Sequence, residues 1–160
     1  MPIHDAGREI FREVTSEMDA LLNSLRSAPA MPTADHSEIP TTPGVYLFSK
    51  GDEALYVGQT RNLRTRLNNH TNPLSRENKA SFAFLVAKTE ARKAGVDLSR
   101  TRKVLEGDED FARHFGEAKL GVAEMDVRFI QMEGAISRSI FEIYASLTLD
   151  TLLYNSFETH

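Results

Sequence analysis

The stretch GVYLFSKGDEALYVGQT, residues 44–60, decides how this chain is read. Residues 44–49 and 54–57 are rich in aromatic, β-branched and other apolar side chains. Between them Lys50, Gly51, Asp52 and Glu53 have the chemistry of a turn. Two short β-rich runs around a Gly-Asp turn predict a hairpin. Tyr46 and Tyr56 stand ten residues apart, one on each strand, and each has a glycine two positions away, Gly44 before and Gly58 after.

Toward the C-terminus, Thr60 is expected to cap a short helix running to about His70, with Leu63 and Leu67 on its apolar side and Asn72-Pro73 as its end. Arg66 and His70 then share one helix face, four residues apart. Helical text follows over residues 77–94, stopped by Gly95, and over 108–119, with Phe82, Leu85, Phe111 and Phe115 as apolar anchors. Residues 125–132 alternate as a strand, apolar at Met125, Val127 and Phe129, and Ile130 and Met132 make the other face partly apolar as well, which suits an interior strand. A last helix is predicted from Ala135 to about Leu149, and the tail at 152–157 is expected to dock as a short extended piece.

Toward the N-terminus, Ile10, Val14, Met18, Leu21, Leu22 and Leu25 form one apolar helical stripe, with Asp5 as its expected cap and Pro29 forbidding continuation. The stripe must pack on the body of the domain or, as the lesser option, on a second copy. Residues 28–43 hold four of the six prolines and read as an extended linker. The expected organisation is an N-terminal amphipathic helix at 1–27, a Pro-containing linker at 28–42, and a mixed α/β (α+β) domain at 43–160. That domain should have a small central mixed or antiparallel sheet flanked by helices, with a helical insertion at about 75–122.

At 160 residues the chain is about one domain, large enough for a real core. It has no Cys, which excludes a disulfide scaffold, a thiolate zinc site, an iron–sulfur cluster and a Cys nucleophile. No apolar run reaches the ~18 residues of a membrane span and the N-terminus lacks a leader pattern, so a cytoplasmic chain without a membrane partner is expected. The net charge of −4 is unevenly spread. Residues 41–103 carry twelve basic and five acidic side chains, while residues 1–40 carry three and seven and residues 104–160 carry four and eleven. A basic middle between acidic flanks points to an anionic partner, against the plainer reading of a solvated helical surface.

The joint pattern of Gly44-Val45-Tyr46, Tyr56-Val57-Gly58, Arg66 and His70 resembles the GIY-YIG endonuclease family. Its signature is two short strands with those tripeptides, a helix with one Arg, a later helix with one Glu, and an Asn. Glu142 matches the Glu and Asn155 the Asn. His70 matches a His found in some branches. The resemblance implies metal-dependent hydrolysis of phosphodiester bonds in nucleic acid, DNA ahead of RNA, with one Mg²⁺ or Mn²⁺ held by Glu142. It implies catalytic roles for Tyr46, Tyr56, Arg66, His70 and Glu142, and substrate contacts at Gly58, Gln59, Arg61, Arg64 and Asn155. Two positions depart from the pattern. Gln59 stands where many members have a basic residue, and Leu152 and Leu153 stand where a Pro often precedes the Asn.

The residue types suit that chemistry. Phosphodiester cleavage needs an activated water and stabilised charge on the phosphoryl and leaving oxygens. A hard divalent cation prefers oxygen ligands and keeps several waters, so one carboxylate suffices to hold it. Arg66 offers a planar fork matched to phosphate. Tyr46 or His70 is the candidate base, and Tyr56 would orient water or phosphate. Arg92, Lys93, Arg100, Arg102 and Lys103 form a basic cluster suited to a nucleic-acid backbone. Plainer readings stand beside these. The tyrosines would be half-buried hairpin residues, Glu142 would pair with Arg138 at i, i+4, and Asn155 would cap a turn. Glu133, near a helix start, competes for the metal role. Two further functions stay open: a nucleic-acid-binding or regulatory module without turnover, and a partner-binding protein, or a homodimer, acting through the N-terminal helix.

Overall fold

The computed structural model describes residues 4–33 and 37–155. Along the chain run α1 (Asp5–Ser16), α2 (Met18–Ser27), β1 (Met31–Pro32), β2 (Gly44–Lys50), β3 (Glu53–Thr60), α3 (Leu63–Thr71), α4 (Ser81–Lys93), α5 (Arg102–Glu106), α6 (Glu109–Ala123), β4 (Asp126–Gln131) and α7 (Ala135–Thr148). The strands form one antiparallel sheet in the order β1-β4-β2-β3, so the fold is mixed α/β as the sequence predicts. The hairpin closes at Gly51, whose φ of +59° favours glycine.

Period-two alternation divides β2 and β3 between two cores. Val45, Leu47 and Val57 face α2 and α7, where Met18, Leu22, Leu25, Phe141 and Ala145 bury against them. Tyr46 and Phe48 face the other way, toward Leu63, Leu67, Phe82, Phe84, Phe111 and Phe115. Nearly every residue of β2 is therefore buried. The predicted insertion is a structural half of the molecule, since α4 and α6 carry the aromatic layer over that face.

Several expectations need correction. The single N-terminal helix is two helices that meet at Glu17. Thr15 and Ser16 turn their hydroxyls back onto the carbonyls of Phe11 and Glu13 there, a pattern that bends helices. The buried contacts come from α2; α1 has no buried residue and reaches the core only through half-buried Val14, with Ile10 and Phe11 exposed. His4, not Asp5, is the N-cap of α1. The stretch read as a linker is fixed to the domain. Met31 and Pro32 pair with Val127 and Asp126 as an edge strand, a position that tolerates proline. Buried Thr33 donates to carbonyls at the end of α6, and Ile39 is fully buried. Asn62, not Thr60, caps α3, its side chain accepting from Thr65 N at 2.9 Å. Helix α4 starts at Ser81, four residues later than predicted, because 76–80 form a turn through Lys79 N and Ala80 N to the Arg76 carbonyl. The short α5 was not predicted. The described part of the tail is a turn, with Tyr154 N and Asn155 N on the Thr151 carbonyl, rather than an extended piece. Ser156 and Phe157 lie outside the described residues.

Candidate active site

Tyr46 and Gly58 are direct partners in the β2–β3 register. The Tyr46 ring lies across Gly58, so that a Cβ at position 58 would collide with the phenol hydroxyl. Gly44 is constrained in the same way by the Ile130 carbonyl and Leu63. The two glycines of the motif are thus places of close approach. Tyr56 points to the same face as Tyr46, with ring centroids 6.3 Å apart, and stacks on Phe82 at 4.6 Å and 9°.

Helix α3 brings Arg66 and His70 under the hairpin. Arg66 Nε donates to the Tyr46 hydroxyl at 3.1 Å, and the same hydroxyl lies 2.9 Å from His70 Nε2. The guanidinium also donates to the Lys79 carbonyl at 3.1 Å and to Ser81 Oγ at 2.7 Å. Its plane is therefore fixed from the turn that precedes α4. Tyr46 and His70 show no surface to solvent, whereas Tyr56 and Arg66 are half-buried.

Glu142 reaches this group from the opposite sheet face. Gln59 shares the face of Val57, toward α7, and its Nε2 donates to Ser139 Oγ at 2.8 Å, one turn before Glu142. The site therefore straddles the edge strand β3, with Tyr46, Tyr56 and Arg66 on one side and Glu142 on the other. Gly58, lacking a side chain, lies at the crossing point. The predicted i, i+4 pair of Glu142 with Arg138 does not form. Arg138 is buried and donates instead to the carbonyls of Met132 and Glu133, both at 2.7 Å. Glu133 itself is exposed ahead of α7.

Burial sets the protonation states. It pushes Tyr46 far above the ordinary tyrosine range, aided by the Tyr56 hydroxyl and opposed by Arg66. Tyr56 is raised for the same first reason. Burial, and then the Arg66 charge, hold His70 well below the ordinary histidine value, so it is neutral at pH 7. Burial also raises Glu142, against the opposing effect of the Gln59 amide, the Gln59 backbone N–H and Arg66.

The residues expected to bind substrate have the following places in the fold. Gly58 makes room for Tyr46. Gln59 braces α7 at Ser139. Arg64 donates to the Ile39 and Ser37 carbonyls and holds the Pro-rich segment against α3. Asn155 clamps β3 from outside: its amide accepts from Val57 N at 2.9 Å, donates to the Val57 carbonyl at 2.6 Å, and receives Thr151 Oγ1 at 2.9 Å. Among the described residues Arg61 alone of the five is exposed without a side-chain partner. The basic cluster is also largely engaged. Arg100 pairs with Asp108, Lys93 with Glu90, and Arg102 lies over Phe84. Sequence reading missed Ser81 and the Lys79 carbonyl as partners of Arg66, because both fell inside a helix predicted to begin at residue 77.

Among the described residues no three His, Asp or Glu side chains converge, and Glu142 is the carboxylate whose charge bears on Tyr46, Tyr56 and Arg66. A half-buried carboxylate whose ionised form is penalised by burial fits one hard cation that keeps most of its waters.

Residues 42–101 match the family described as UvrC-like GIY-YIG domain, a stretch that contains the hairpin, α3 and α4 and ends before α7. That stretch is thus similar to a GIY-YIG domain. UvrABC system protein C of Deinococcus radiodurans is 53% identical over 32 residues, 20% of this chain and 5% of that protein. UvrABC system protein C of Thermus thermophilus is 45% identical over 40 residues, 25% of this chain and 7% of that protein. The chain therefore matches only a small part of the length of either relative. No solved structure matches it.

Proposed function

We propose that this chain is a metal-dependent endonuclease that hydrolyses phosphodiester bonds in nucleic acid, DNA ahead of RNA. The observation that supports this most is the Tyr46 hydroxyl, which receives Arg66 Nε and adjoins neutral His70 Nε2, at the Gly58 crossing opposite Glu142.

Arg66 gives N–H groups to Tyr46, the Lys79 carbonyl and Ser81 and lies against the Tyr56 hydroxyl, and its half-buried guanidinium would offer what remains to a phosphoryl oxygen. Its fixed plane means little reorganisation when that oxygen gains charge. Glu142 would hold one Mg²⁺ or Mn²⁺, and such an ion, when bound, supplies charge stabilisation at the phosphoryl and leaving oxygens. Tyr56, stacked on Phe82, orients its hydroxyl beside Arg66. The environments of Tyr46 and His70 both disfavour charge, so a phenolate–imidazolium pair is not the resting state. Tyr46 instead keeps its proton, and hands it to His70 Nε2 only as it takes one from the attacking water. That transfer requires the His70 tautomer with its proton on Nδ1, an atom without a hydrogen-bond partner among the described residues.

The test is incubation of the purified chain with plasmid, structured and single-stranded DNA, and RNA, with Mg²⁺ or Mn²⁺. Cleavage that stops on chelation and in folded Arg66→Ala and Glu142→Ala variants is the expected result. Cleavage that survives Glu142→Ala removes the metal assignment. Nucleic-acid binding with no cleavage under any cation favours a module without turnover.

A further inference from the structure

A second concave site lies on the α2/α7 face of the sheet, beside the hairpin turn. It is a pocket of about 270 Å³ that Arg26 of α2 and Arg128 of β4 both line, together with Ser49, Gly51 and Asp52. Arg128 is half-buried, and its Nη1 donates to Oγ of Ser49, a residue only 3% exposed, at 2.8 Å. A guanidinium drawn partly out of water is costly unless paired. Yet among the described residues neither arginine has an ion pair, and Asp52 pairs with neither. Two positive charges converge on one cavity, one of them oriented by a buried hydroxyl. An oxyanion would satisfy both.

We propose that this pocket binds a phosphoryl group. Planar forks from two sides match the oxygens of a phosphate, and the turn at Gly51 brings backbone within reach. Two sources carry that chemistry, a nucleic-acid backbone phosphate and a small phosphorylated molecule. The backbone source rests on the nuclease reading. Ala54, which lines the pocket, and Gly58, at the candidate active site, are four residues apart on β3, roughly 13 Å. For a duplex lying along β3, at about 3.4 Å of helix axis per nucleotide, the pocket would grip the backbone ~4 nucleotides from the bond cut.

The experiment uses the full chain. Inorganic phosphate is titrated into ¹⁵N-labelled protein, and a fluorescent oligonucleotide is titrated at several salt concentrations. Both are repeated with Arg26→Gln, which removes a solvent-side fork and leaves the Arg128–Ser49 bond intact, and with Arg26→Gln/Arg128→Gln after circular dichroism confirms the fold. Phosphate is expected to move the Ser49, Gly51 and Arg128 resonances saturably in the wild type and not in the double variant. Oligonucleotide affinity should fall several-fold in both variants, with a salt slope reduced by about 1 per arginine removed. Resonances that do not respond to phosphate, or respond equally in the double variant, overturn the proposal. A phosphate response with unchanged oligonucleotide binding overturns the backbone source and assigns a small phosphorylated ligand. A wild type that binds phosphate here but no nucleic acid refutes the nuclease reading and leaves the pocket standing.

Discussion

Gly58 and Tyr46 face each other across the β2–β3 ladder, and the phenol occupies the space that a side chain at position 58 would need. The collision in a Gly58→Ala variant involves a fully buried ring tied to Arg66 and His70, so the ring cannot swing away without breaking those bonds. Overpacking of this kind costs about 1–3 kcal/mol. Gly58→Ala should lower the urea midpoint accordingly, and cleavage should fall by more than the loss of folded protein explains. A variant with wild-type midpoint and wild-type cleavage would remove the close-approach account.

Glu142 yields a prediction of the opposite sign. Burial raises its pKa, so the folded state holds the proton more tightly than the unfolded chain does. Folding stability contributed by this group is present below the unfolded glutamate value and is lost as pH rises through the higher folded value. Glu142→Gln should therefore melt higher than the wild type at pH 7 to 8, while cleavage disappears. Mg²⁺ should raise the wild-type melting temperature and leave that of Glu142→Gln unmoved, a readout independent of turnover.

His70 is shifted downward by burial and by Arg66, so the unfolded chain takes up protons before the native state does. Stability should fall as pH drops from the ordinary histidine value toward the lower folded one, and recover above it. Thermal melts between pH 4.5 and 7.5 on wild type and on His70→Gln should differ by this slope. Parallel melting curves for the two proteins would show that His70 carries no such penalty.

Asn155 is predicted to act on stability and not on substrate affinity. Its amide satisfies both backbone groups of Val57. Asn155→Ala leaves these unpaired at about 1–3 kcal/mol each. The denaturation midpoint should drop strongly while KM for an oligonucleotide substrate stays at the wild-type value below the melting range. An altered KM with an unchanged midpoint would return this residue to substrate binding.

Much of the fold was legible because its determinants are local. The Gly-Asp turn sets the hairpin, the Leu63/Leu67 spacing sets α3, and the two-sided apolar pattern of 125–132 puts β4 inside the sheet. The helix face shared by Arg66 and His70 was legible through spacing, and their grouping with Tyr46 through the family resemblance; the fold brings the three together. What remained hidden depends on contacts distant in sequence. The two-residue strand β1 has a prolyl sequence that reads as linker, and only pairing with residues about ninety-five positions away makes it a strand. Ser81 reaches Arg66 only because a turn, not a helix, precedes it. Gln59, Arg64 and Asn155 have side chains suited to phosphate, and their actual partners are backbone or neighbouring hydroxyls from other elements.

The helix α2 covers Val45, Leu47 and Val57, the inner side of the very hairpin that carries the motif. The stretch that matches known GIY-YIG domains, residues 42–101, includes neither α2 nor α7, the two helices over that side. It is therefore a signature rather than a folding unit. Excised alone, that stretch would present a bare apolar sheet face to water and to other copies of itself, and a chain trimmed at residue 43 on the assumption that a tether precedes it would lose the α2 half of that cover. The helix that begins at Met18 is in that sense the second wall of the hairpin, and any shortened version of this protein has to begin before it.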